Sequence, residues 1–157
     1  MNISGNLPPE FPFPTVLALS GGIGGAKLAL GLANVLAPGK LMIVGNIGDD
    51  FVQKRSEPVV NGLRFQGAEN ALPTPEFMEM LRNPLLQAVV ICPSNPFLSI
   101  DPILAISGVR EALRECSAPV IAVSLIVGGD AVKGPTAKIM RELGHPVSAT
   151  AVANYYC

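Results

Sequence analysis

The chain of 157 residues has no tryptophan, one histidine and three cysteines, and only 15% of its residues are charged. Each shortage excludes something. With aromatics at 5%, the interior has to be assembled from Leu, Ile, Val and Ala, as in layered α/β proteins whose parallel strands are buried on both faces. His145 stands alone between Gly144 and Pro146, which removes most zinc-site designs and leaves any catalytic triad no other histidine to use. Its helix-to-strand loop is expected at the end of the sheet away from a ligand crevice. Cys92, Cys116 and Cys157 are an odd set without metal-type pairing, so they read as buried or incidental thiols of a reducing, cytoplasmic compartment. Lys and Arg total 11 against 12 Asp and Glu and are scattered singly, which argues against a nucleic-acid partner. The longest apolar run, residues 118–127, is about half the length of a membrane span, so no membrane partner is expected. The opening MNISGNLPPEFPFP lacks the basic and apolar regions of a signal peptide. Residues 1–14 read as a Pro-rich leader, and residues 15–157 as a single α/β nucleotide-binding domain large enough to bury a core.

What is present alternates between strand and helix signals. TVLAL (15–19) is a short buried-type strand, and AKLALGLANVLA carries Leu28, Leu32 and Val35 near one helical face before Pro38-Gly39 stops it. KLMIVGN (40–46) is a second strand and completes a βαβ unit. In FVQKRSEPVVNGLRFQG, Pro58 and Asn61-Gly62 break short β-prone pieces, which predicts an edge hairpin. Thr74-Pro75-Glu76, Asp101-Pro102 and Gly134-Pro135 each place a capping-type residue before a proline, predicting three helix starts. Between them lie apolar strands at 88–92 and 119–127, and helix 135–143 closes at Gly144. The alternation predicts a Rossmann-like, doubly wound, mostly parallel sheet, with ligand bound where the carboxyl ends of its strands open into loops.

Four such loops carry chemistry. SGGIGGAK misses both the dinucleotide pattern and the P-loop pattern, since Lys27 stands where the third glycine belongs and no Gly-Lys-Ser/Thr follows. Its physics still suits an anion: Gly21, Gly22, Gly24 and Gly25 admit a close ligand, helix amides supply donors, and Lys27 in an opening turn needs an anion to offset the helix field. VGGDAVKGPTAK repeats the idea with Gly128, Gly129 and Lys133, and two such loops suit a diphosphate. Asp49 and Asp50 end the loop after the second strand; one of them is a candidate to hold Mg²⁺ against a phosphate. Cys92-Pro93-Ser94-Asn95-Pro96 sets Ser94 and Asn95 over an apolar wall, as recognition of a base or sugar requires. No residue stands out as catalytic.

LSGGIGGAKLALGL, GNIGDD, RFQGAENALPTPEF, CPSNPFLSIDPILAISGVREAL and APVIAVSLIVGGDAVKGPTAKIMRELG together resemble, in this order, the 2-phospho-L-lactate transferase family of deazaflavin coenzyme biosynthesis. The CPSNPFLSIDPIL block is the most specific part. The resemblance implies a Rossmann-like enzyme that moves a phospholactyl or phosphoenolpyruvyl group from a GDP-activated donor to the hydroxyl of a deazaflavin riboflavin analogue. Mg²⁺ assists and GMP leaves. It also implies donor phosphates on Gly21–Gly25 and nucleotide contacts at Ser94 and Asn95. Family chains carry a long acceptor-binding insert after the GDD-type loop and further elements beyond NYYC, so this chain is expected to lack the insert after Asp50 and those last elements. That loss exposes apolar surface, from which homo-oligomerisation is expected. A non-catalytic guanine-nucleotide-binding fragment and a gluconeogenesis-factor-like binder of a nucleotide sugar are the alternatives.

Overall fold

The computed structural model describes residues 13–46 and 56–156. The first strand, β1 (Val16–Gly21), is buried at every residue and forms the middle of the fold. Because successive strand side chains point to opposite faces, Leu17 and Leu19 enter one apolar cluster while Val16 and Ala18 enter another. Helix α1 (Gly22–Val35) follows at once and lays Gly25 and Ala29 on the sheet. These small residues bring its axis close, and Leu28 and Leu32 pack beside Val16, Ala18, Val90 and Cys92. Val35, expected on this face, is 79% exposed, because the helix presents its Gly-Ala stripe to the strands and turns Val35 outward.

Strand β2 (Leu41–Asn46) pairs parallel with β1, and the chain then crosses to the other side of β1 to form β3 (Ala88–Ile91). The four-stranded sheet runs β2-β1-β3-β4, parallel throughout, with β4 (Val120–Ala122) beside β3. Helix α2 (Pro75–Arg82) starts as its sequence predicts: Thr74 accepts from the Phe77 amide at 3.4 Å, Pro75 opens the first turn, and Arg82 lies in the last. With α3 (Asp101–Leu104) and α4 (Val109–Glu115) it covers the face of Leu17, Leu19, Val89 and Ile91 through Phe77, Leu81, Ile103 and Val109. Each such fully buried side chain contributes about 1.5–3 kcal/mol. Helices thus lie on both faces, the arrangement of a Rossmann-like α/β fold. A third cluster joins Phe97, Leu98, Ile126, Ile139 and Val152 across α5 (Thr136–Glu142) and α6 (Ala149–Tyr156).

Several elements differ from their sequence expectations. Residues 56–74 run through turns and contain no strand, so the described part of the expected edge hairpin is absent; residues 51–55 lie outside the described residues. The run 119–127 is not one buried strand. Only Val120–Ala122 joins the sheet, as its edge, with Val120 and Ile121 about half exposed. The chain then leaves to pair β5 (Ile126–Val127) antiparallel with β6 (Asp130–Ala131). Asp101-Pro102 does open an α-helix, α3, with Pro102 in its first turn, but Asp101 is itself helical rather than the capping residue. The coil begins earlier, as a π-helical turn at Pro96–Ile100, and Asp101 continues it into α3. His145 does not sit far from the ligand end. Its ring stacks on Phe97 of that π-turn with centroids 5.9 Å apart, because α5 packs against the π-turn rather than onto the sheet.

Candidate functional site

A cleft of about 750 Å³ opens where β1 and β3 end. This is the topological switch point, since the chain leaves β1 toward β2 on one side and returns as β3 on the other. Its lining comes from the turn at the end of β1 (Gly21, Gly22, Gly24), the loop after β3 (Ser94, Asn95) and the segment entering α5 (Lys133, Thr136). Apolar walls from Ile23, Leu98, Leu125 and Val132 surround these polar groups.

The first loop is held close to the second by its lack of side chains. A Cβ on Gly24 would strike the carbonyl oxygen of Pro93, and one on Gly25 would strike the hydroxyls of Ser20 and Ser94. The amide of Gly21 donates to Ser94 Oγ at 3.0 Å, which ties the two strand ends together. That amide is therefore engaged within the protein. The donors left for an anion are the first-turn amides of α1, where no side chain caps the helix and no acidic residue stands.

The second loop is rigid for a different reason. Asn95 Oδ1 accepts from the amides of Phe97 at 3.0 Å and Leu98 at 3.1 Å and so caps the π-turn. Asn46, at the end of β2, donates from Nδ2 to the Leu98 carbonyl at 2.8 Å. Beneath the turn the Asp101 carboxylate is gripped by Arg110 and accepts from the Tyr155 hydroxyl at 2.6 Å. Burial, followed by the hydrogen bond to Asp101, raises Tyr155, while burial first and the Asp101 charge second raise Tyr156; both phenols remain protonated donors. Burial also raises the Cys92 thiol at the end of β3, so this cysteine is a packing residue rather than a thiolate nucleophile. π-helical turns are uncommon and often mark functional positions.

Gly21, Gly22, Gly24, Ser94, Asn95 and Lys133 are brought together around one cleft. Lys133 is the one cation among the described lining residues, and no carboxylate lines the cleft among them. Gly25 lies beneath it, buried against the serines. Lys27 is exposed and does not line the cleft, and since α1 begins at Gly22 it stands past the first turn, where the helix field has fallen off. Gly128 and Gly129 form the two-residue turn between β5 and β6, with φ of 61° and 82°, and also stand outside the lining. Positive φ at both central residues is what a type I′ hairpin turn needs, so these glycines serve the turn. Asp49 and Asp50 lie outside the described residues, although Asn46 and Ser56, which flank that segment, both line the cleft. Sequence reasoning missed Asn46, Ser56, Ser99, Ser124 and Thr136. Only Asn46 had a signal, its place at the carboxyl end of a predicted strand.

The sequence model of the family described as 2-phospho-L-lactate transferase CofD matches residues 51–156. The chain belongs to this family. The 2-phospho-L-lactate transferase of Methanopyrus kandleri is 42% identical over 107 residues, which cover 68% of this chain and 33% of that protein. The enzyme of the same name from Methanosarcina mazei is 39% identical over 108 residues, 69% of this chain and 34% of that protein. The phosphoenolpyruvate transferase of Streptomyces griseus is 41% identical over 90 residues, 57% of this chain and 28% of that protein. The chain thus matches about a third of the length of these relatives. The family match takes in the Ser94-Asn95 loop and the segment entering α5 but begins after the glycine turn, which joins the site because β1 lies between β2 and β3. No helix among the described residues is long and apolar enough to cross a membrane.

Proposed function

We propose that this 2-phospho-L-lactate transferase family member binds a GDP-activated donor in the switch-point cleft and serves the transfer of its phospholactyl or phosphoenolpyruvyl group to the hydroxyl of a deazaflavin riboflavin analogue. The observation that carries the reading is the convergence of an uncapped 14-residue helix start, Lys133 and the Ser94-Asn95 loop on one cleft, in a chain whose relatives bear these transferase names. The amides at the start of α1, together with Lys133, take the charge of the diphosphate. The apolar walls and Asn95 hold the rest of the nucleotide. In the transfer, the acceptor oxygen bonds to the distal phosphorus as the bond from that phosphorus to the bridging oxygen breaks. GMP carries the bridging oxygen away and the hydroxyl proton passes to solvent. Such a reaction asks mainly for positioning and charge stabilisation.

The described lining residues do not fit a magnesium site, since none of them is a carboxylate and no group of three or more His, Cys, Asp or Glu side chains gathers among the described residues. A magnesium ion in this reading rests on Asp49 or Asp50 together with donor phosphates, and no step above is routed through it.

Calorimetric titration of the purified chain with GDP tests the reading. Binding should weaken about tenfold to a hundredfold in Lys133→Ala, the worth of one charge-assisted contact. A cooperatively melting chain that ignores GDP would overturn it. Incubation with donor and acceptor then separates transferase from binder: release of GMP marks turnover. Binding without release marks a non-catalytic guanine-nucleotide module.

A further inference from the structure

Two buried side-chain polar atoms among the described residues have no hydrogen-bond partner, Asn95 Nδ2 and Thr136 Oγ1. Both residues line the same cleft. Buried polar groups are ordinarily satisfied, so two orphans converging on one site call for a physical reason. Thr136 is 1% exposed and opens α5, yet its hydroxyl caps nothing; the capping position is held by Pro135. A threonine at a helix start ordinarily bonds to the local backbone. Asn95 is also well defined. Its Oδ1 is fixed by two backbone amides, which leaves Nδ2 as a donor and nothing else.

We propose that Thr136 is a specificity-determining contact of this cleft, acting with Asn95: the Thr136 hydroxyl and the Asn95 amide hydrogen-bond the polar edge of the bound ligand. The inference rests on reading the cleft as a nucleotide site and adds an atomic demand to it. The ligand presents an acceptor to Asn95 Nδ2, and beside Thr136 it presents a group that the hydroxyl can meet as donor or acceptor. Carbonyl-bearing rings and phosphate oxygens meet the first condition; a purely aliphatic or donor-only surface does not. The demand has a signature that a structural threonine lacks. Removing an unsatisfied hydroxyl while keeping its shape relieves the free protein of a desolvation cost, so stability and binding move in opposite directions.

The test uses the full chain as wild type, Thr136→Val, Thr136→Ser and Asn95→Asp. Each is melted and then titrated with GDP and, separately, with UDP-glucose. Valine keeps the shape of threonine, and aspartate keeps the Oδ cap of the π-turn while turning the donor at Nδ2 into an acceptor. Thr136→Val should melt at or above wild type and bind GDP about tenfold or more weakly. Asn95→Asp should weaken GDP similarly while remaining folded, and Thr136→Ser should stay near wild type. Affinity within about twofold of wild type in both Thr136→Val and Asn95→Asp would overturn the inference. So would a Thr136→Val chain that loses stability, since the hydroxyl would then be structural. A wild type that binds UDP-glucose but not GDP, with the same dependence on Thr136, would overturn the guanosine reading and uphold this one. Binding of neither would overturn both.

Discussion

Two glycines of α1 allow the close approach of its N-terminus to the Pro93 loop to be measured. Replacing either Gly24 or Gly31 by alanine raises helix propensity by about 0.5–1 kcal/mol, because glycine loses more backbone freedom on folding. At Gly31 nothing lies within 4 Å of the added Cβ, so the full gain is expected. For a chain of 157 residues that corresponds to a rise in Tm of about 1–4 °C. At Gly24 the same Cβ meets the Pro93 carbonyl oxygen well inside van der Waals distance, and a backbone atom cannot rotate away. The helix start and the loop must separate, at an overpacking cost of about 1–3 kcal/mol. The net effect in Gly24→Ala is a fall of up to about 2 kcal/mol, or no change where the two effects balance. Binding should suffer as well as stability, since the separation opens the corner where the α1 amides face the cleft. Differential scanning calorimetry of the three chains, followed by GDP titration, reads both quantities. If Gly24→Ala melted as high as Gly31→Ala and bound GDP like wild type, the proposed contact between α1 and the Pro93 carbonyl would be refuted.

Other predictions concern the supports beneath the cleft. Arg110→Ala leaves the Asp101 carboxylate, with only 11% of its side chain exposed, without its cationic partner. The expected loss is about 2–3 kcal/mol, discounted for the partial exposure of Arg110, and a Tm within about 2 °C of wild type would contradict it. The Glu142 carboxyl is held below its ordinary value of 4.5, chiefly by the hydrogen bond from Lys138 and next by the Val60 amide. A depressed carboxyl contributes stability above its unfolded value and loses it as pH falls through the folded one. The fall of Tm below about pH 4.5 should therefore be shallower in Glu142→Gln than in wild type, and parallel curves would remove Glu142 from the account.

The parallel α/β layout was legible because its signals are local. Unbroken apolar runs mark β1 and β3, and Thr74-Pro75-Glu76 marks the start of α2. Where a reading depended on which neighbour covers a strand, sequence failed. Residues 119–127 are apolar enough for a buried strand, yet β4 is the sheet edge and the rest turns into a hairpin. The site divided in the same way. Ser94 and Asn95 stood out because prolines and polar side chains at the end of an apolar strand are unusual, whereas Gly128 and Gly129 looked like a phosphate loop and are a tight turn. Glycine content alone cannot separate the two uses, since both need backbone without Cβ.

The amino-acid order by itself determined the alternation of strands and helices, the family, and the two loops that carry Gly24 and Asn95. Those properties follow from neighbours within a few residues or from the pattern of a segment. Only the tertiary structure decided that Gly21 binds Ser94, that Lys133 faces the cleft while Lys27 does not, and that Thr136 lies buried with an unpaired hydroxyl. Each of these depends on β1 lying between β2 and β3 and on α5 folding back against the π-turn. Such juxtapositions join residues far apart in the chain, so no local pattern records them.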